Sequence, residues 1–108
     1  MNTKFQKDQS IIRLLDGLTT RLGPRAFDVV DHWDGDWCAI GIARPDNHGV
    51  LVYISTYGEG DERCSVSLEL PPRPGSDIPY TAAGNYDAAS VDELAEIVRR
   101  HFDYDRVT

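Results

Sequence analysis

The chain has 108 residues, of which 41% are hydrophobic and 27% charged, ordinary globular values that exclude wholesale disorder. Eighteen Asp and Glu against eleven Lys and Arg leave a net charge of −7; no basic cluster offsets it, which disfavours nucleic acid, whose affinity comes largely from cations displacing counterions from phosphates. No segment approaches the roughly 20 apolar residues of a membrane span, and with no export signal and only two cysteines the expected setting is cytoplasmic, with neither membrane nor nucleic acid as partner.

Residues 1–8 read as a flexible polar tail ending at Asp8, an N-cap, and residues 9–108 as a single α+β domain. Ile11, Leu14, Leu15, Leu18 and Leu22 recur at helical spacing until Gly23-Pro24 stops them. Gly17 lowers the helix propensity by about 1 kcal/mol relative to alanine, less than the apolar stripe supplies. The period then falls to two. Phe27 and Val29 alternate with Asp28 and Val30, and three further strands follow around Cys38, Ile40 and Ile42, around Val50, Val52 and Ile54, and from Cys64 to Leu70.

The connectors, Asp34-Gly35, residues 44–49 and residues 58–61, are too short for parallel crossovers and predict an antiparallel meander. Residues 71–77, "PPRPGSD", read as a loop, and residues 79–87 offer a short fifth strand at the edge. Ser90-Val91-Asp92-Glu93 is a capping box opening a second helix, whose buried face is Val91, Leu94, Ile97, Val98 and Phe102. The expected architecture is therefore an N-terminal helix, a four- to five-stranded antiparallel meander and a C-terminal helix, with both helices packed on one face.

The segment Trp33-Asp34-Gly35-Asp36-Trp37 is the most unusual in the chain. Asp-Gly between alternating strands predicts a two-residue hairpin turn, because both central residues tolerate positive φ. Trp33 then shares the inner face with Phe27, Val29, Cys38, Ile40 and Ile42, while Trp37 points outward. With Val50, Val52 and Ile54 set against Ile42, Ile40 and Cys38, Trp37 falls opposite Ser55, with Tyr53 and Tyr57 on the diagonals. The outer face is thus rich in aromatics and hydroxyls, a composition suited to binding; the alternative is that the loop of residues 71–89 folds over it as a second small core. Cys38 and Cys64, with one strand between them, are expected to be buried thiols about 9–10 Å apart, too far for a disulfide.

No reactive machinery emerges. Asp28, Asp31, Asp34 and Asp36 alternate along a strand and diverge, so they read as a turn with a solvated acidic rim and not as a metal site. His32, His48 and His101 lack ligand spacing, and the serines stand outside any GxSxG elbow. Gly58-Glu59-Gly60 lacks the third glycine of a dinucleotide fingerprint and carries acids that repel phosphate. No catalytic residue, metal or cofactor is assigned.

The order helix, meander ("DWCAIGIA", "VLVYISTY") and capped helix ("SVDELAEIVRRHF") resembles the small α+β immunity proteins with which bacteria neutralise polymorphic or contact-dependent toxins. The resemblance covers residues 9–102 and implies a protein partner, often a basic toxin domain, bound through an acidic or aromatic surface. The expected function is a non-enzymatic protein-binding module, an immunity-type inhibitor, docking through Trp37, Tyr53, Tyr57 and Arg63 with Asp34 and Asp36 at the rim, as a monomer or homodimer. The alternative is a small enzyme or ligand-binding protein with its site under residues 71–89.

Overall fold

Asp8 opens the first helix as its side-chain chemistry dictates. It is extended, its carboxylate accepts the Ser10 N–H at 3.0 Å, and α1 (Gln9–Leu22) runs from there to Gly23, whose φ of 107° favours glycine. The computed structural model describes residues 7–30, 36–60 and 62–103; the predicted Asp34-Gly35 turn and Trp33 lie outside them. Five strands follow α1: β1 (Asp28–Val30), β2 (Ala39–Arg44), β3 (Asn47–Ser55), β4 (Cys64–Leu70) and β5 (Thr81–Ala89). They pair antiparallel in chain order, β1-β2-β3-β4-β5. The second helix, α2 (Val91–Phe102), begins with the predicted reciprocal bonds between Ser90 and Glu93.

The expected architecture holds, with two adjustments. The β2–β3 turn is tighter than residues 44–49, since Arg44 already pairs with Asn47, and a bulge follows before Ala43 meets Leu51. The register is consequently two residues from the expected one: Ile42 faces Val52, Ile40 faces Ile54, and it is Ala39, not Trp37, that faces Ser55. A two-residue slip leaves every side chain on its original face, because the strand period is two. The second adjustment is β5, which extends over nine residues and lies beside β4, not across the sheet.

Ile40, Ile42, Val52, Ile54 and Val66 form the inner face and pack with Ile11, Leu14 and Leu18 of α1 and Leu94, Val98 and Phe102 of α2 in one cluster. Both helices therefore serve one side of the sheet. Gly17 sets how closely they meet, for a Cβ placed there would stand 2.8 Å from Val91 Cγ2. The glycine that weakens α1 in isolation thus admits the first residue of α2. Among the described residues, no helix is long and apolar enough to cross a membrane.

Two buried polar side chains lock α2 to the sheet. Arg44 donates from Nη1 to the Phe102 carbonyl at 2.9 Å and from Nε to Asp46 at 2.6 Å, so a cation satisfies the negative end of the helix. His101 Nε2 lies 2.8 Å from the Glu69 carbonyl oxygen, to which it donates. Burial lowers the His101 pKa below its usual 6.5, with Arg44 acting in the same sense.

Two outcomes follow. Gly17→Ala should lower stability by about 1 kcal/mol, because overpacking against Val91 outweighs the helix propensity gained; in a Val91→Ala background the same change should raise the denaturant midpoint. The His101 contribution is fully present above pH 6.5 and is lost as pH falls through 6.5 toward the lower folded value, since the unfolded chain takes the proton first. Asp8 and Glu93, whose pKa values are lowered from 3.8 and 4.5, lose their contributions only at more acid pH. Denaturant titrations between about pH 7 and pH 5 should show stability falling with acidification, with a flatter slope for His101→Gln.

Candidate functional site

The end of the sheet where β2 begins and β3 finishes gathers most of the residues that the sequence singles out. Asp36 directs its carboxylate to its own loop, accepting the Cys38 N–H at 3.0 Å. Its carbonyl accepts from Lys7 Nζ at 2.7 Å, and the next carbonyl, that of Trp37, accepts the Asp8 N–H at 2.8 Å. Lys7, only 7% exposed, and Asp8 thereby fix the backbone that carries Trp37. The Thr56 N–H donates to the Cys38 carbonyl at 2.8 Å, so the next residues outward on the two chains are Trp37 and Tyr57. Their side chains are 58% and 81% exposed.

Beside Tyr57 a cleft of about 510 Å³ opens between α1 and the β3–β4 connector, with Ser10, Leu14, Gly17, Cys38, Tyr57 and Arg63 among its walls. A hydroxyl chain crosses it. Asp8 accepts the Ser10 hydroxyl at 2.5 Å, so Ser10 Oγ, its proton committed, accepts from Thr56 Oγ1 at 2.8 Å. These bonds from the Ser10 hydroxyl and backbone N–H lower the Asp8 pKa. A carboxylate held in this way is a weak base, and the chain fastens α1 to β3 without activating a nucleophile.

The far wall is built from the connector. Gly58 has φ 75° and Glu62 φ 54°, which curl the chain so that Glu59 Oε1 accepts the Ala88 N–H at 2.8 Å. Arg63 Nη1 reaches both the Ala88 carbonyl and Glu93 at 3.3 Å. Ala88 itself has φ 53°, unusual for a residue with a Cβ, and these two side chains hold it there. Burial, with Glu59 and Glu93 nearby, pushes the Cys64 thiol up to about 12, which leaves it protonated and inert.

The predicted docking residues are therefore distributed. Trp37 and Tyr57 follow facing positions of the two chains, Arg63 lines the same cleft as Tyr57 and is engaged by Ala88 and Glu93, and Asp36 supports the Trp37 backbone. Tyr53 belongs elsewhere: paired between Gly41 and Ser67 on the outer face, it is half-buried and lines a shallow pocket of about 330 Å³ with Ser67, Tyr80 and Asn85. Burial raises the Tyr53 pKa, and Asp36 adds to the shift. Asp34 lies outside the described residues. Residues 81–89 form β5 beside β4 and do not roof the sheet; Tyr80, at the end of the preceding loop, lines that shallow pocket together with Ala82, Gly84 and Asn85 of β5. Cys64 is buried as expected, whereas Cys38 is half-exposed and lines the cleft.

Sequence reasoning missed Lys7, Ser10 and Glu59, whose roles depend on partners 29 to 46 residues away. Among the described residues, no three His, Cys, Asp or Glu side chains come together in a way that would hold a metal ion. The arrangement offers two exposed aromatics on a fixed backbone beside a recess that can admit one partner side chain.

Removing the clasp provides a direct check. Glu59→Ala leaves the Ala88 N–H without its carboxylate and should lower stability by about 1 kcal/mol in denaturant titrations; in an Ala88→Gly background the loss should shrink, since glycine adopts positive φ freely. Comparison of the chain with protein-family models, curated proteins and solved structures finds no match, so the geometry of this end of the molecule stands on its own.

Proposed function

We propose that the chain is a non-enzymatic protein-binding module that captures a basic partner protein, acting as an immunity-type inhibitor of a bacterial toxin in the cytoplasm. The observation that carries this reading is the pair Trp37 and Tyr57, 58% and 81% exposed at adjoining positions, with the Trp37 backbone tied down by Lys7 and Asp8. Large rigid aromatics contribute much contact area for little lost conformational entropy, and a fixed backbone reduces the ordering cost of association. The cleft beside Tyr57 takes one side chain of the partner, with Arg63 at its far wall. The net charge of −7 speeds encounter with a basic surface and makes capture sensitive to salt.

The test is affinity capture from the native lysate at low and high salt, followed by titration of the captured protein. Trp37→Ala and Tyr57→Ala should each weaken binding roughly thirtyfold, the effect of losing an interface anchor, while thermal unfolding stays unchanged. Tyr53→Ala, farther along the outer face, should have a smaller effect. Undiminished affinity in both the Trp37 and Tyr57 variants would overturn the assignment.

A further inference from the structure

β5 is the last strand of the sheet and, among the described residues, pairs only with β4. Seven of its nine residues are exposed, with Thr81 half-buried and Ala89 buried. Exposed edges are commonly blunted by lysine, proline, a bulge or a covering segment; the sequence "TAAGNYDAA" offers one charge, Asp87, and no proline, and its irregularities leave the middle of the strand in step. Two register shifts interrupt the β4–β5 ladder, between the pairs Leu68–Gly84 and Glu69–Ala82 and between Val66–Tyr86 and Cys64–Ala89. Each places its extra residue in β5, and the two flank a regular stretch, Gly84–Tyr86, centred on Asn85.

We propose that β5 is a homodimer interface, in which two copies pair β5 with β5 antiparallel about a two-fold axis at Asn85. The edge is self-complementary in the way an isologous contact requires. The axis sets Gly84 against Tyr86, Ala83 against Asp87, Ala82 against Ala88 and Thr81 against Ala89, so that no like charges oppose. Tyr86, 47% exposed, lies on the helix side of the strand, because it pairs with the inner-face residue Val66. In the dimer its ring covers Gly84 of the other copy, a pairing that compensates for a strand glycine. It also enters the groove of about 490 Å³ between α2 and β5, where Leu70, Ala83 and Ile97 are among the lining residues.

Charge order points to a second copy as the occupant. Along the groove α2 presents Glu93 near its start, bonded also to Arg63, and Arg100 near its end, paired with Glu96 one turn earlier. The two-fold axis reverses the second helix, bringing the acidic start of one toward the basic end of the other. This interface is separate from the Trp37–Tyr57 end and goes beyond the partner-binding reading.

Light scattering and sedimentation across a dilution series of the full chain should show a monomer–dimer equilibrium. Tyr86→Ala and Arg100→Glu should each weaken dimerisation roughly tenfold with thermal unfolding retained, whereas Trp37→Ala should leave it unaltered. Directly opposed strand residues have Cα atoms about 4.5–5.5 Å apart, within disulfide reach. In a Cys38→Ser background, Asn85→Cys should therefore form a covalent dimer under mild oxidant, and Thr81→Cys, which faces Ala89, should not. A chain monomeric at every concentration would overturn the proposal. So would a dimer that Asn85→Cys fails to link, one that Thr81→Cys links equally well, or one that Trp37→Ala disperses.

Discussion

The width of the helical layer governs the surface of this molecule. Two helices side by side cover about 20 Å, close to the span of four strands at roughly 4.8 Å spacing. α1 and α2 share one cluster with the inner faces of β2, β3 and β4, and Gly17 draws them close where the Val91 methyl fills the space a side chain would have taken. A fifth strand in the same sheet then projects beyond the helices. That is the position of β5, exposed on both faces except at its ends.

The β3–β4 connector turns this layering into a fixed shape. Glu59 and Arg63 grip the two backbone groups of Ala88, and Arg63 also meets Glu93, the acid that completes the capping box of α2. One short segment therefore sets the bend of β5, the start of α2 and one wall of the cleft. At the opposite wall the chain Thr56–Ser10–Asp8 does the same for α1 and β3. Polar bonds of this kind contribute modestly to net stability but are directional. Apolar packing holds the layers together, and these bonds determine where the layers end.

The legibility of each element in the sequence follows from what it buries. α1, α2 and β4 stand out because one face is apolar and the other is not, β2 and the centre of β3 stand out as apolar runs buried on both faces, and the Ser90–Glu93 box announces its helix with local chemistry alone. β5 is obscure for the converse reason: neither face is buried, so "TAAGNYDAA" carries no alternation, and its pairing depends on the neighbour Cys64–Leu70. The β2–β3 register was hidden in a turn reduced to Pro45-Asp46, with the surplus residues absorbed in a bulge. Face assignment survived because hydrophobic alternation specifies parity, whereas register depends on turn length. At the candidate site, Trp37 is exposed, as the alternation of β2 anticipates, while the Asp34-Gly35 turn lies outside the described residues. Nothing local indicated that Lys7 and Asp8 hold its backbone, or that Arg63 is engaged by Ala88 and Glu93.

The distribution of aromatic side chains gives the exposed end its meaning. Aromatic rings bury more apolar area than any aliphatic side chain, and a domain of this size gains by placing them inside. Here the core is filled by Ile, Leu and Val, with Phe102 the buried aromatic among the described residues and Phe27 packed at its margin. Trp37, Tyr57, Tyr80 and Tyr86 are left largely in water. Single exposed apolar residues are commonplace. An indole and a phenol on facing chain ends, with the backbone of the indole fastened by a buried lysine and a helix cap, are a different matter, because the fastening commits protein groups to holding that backbone in place. Hydrophobic burial would favour folding Trp37 inward; the Lys7 and Asp8 bonds oppose it. The surface that results is an exposed aromatic pair on a fastened chain end, where less conformational freedom remains to be lost in any contact.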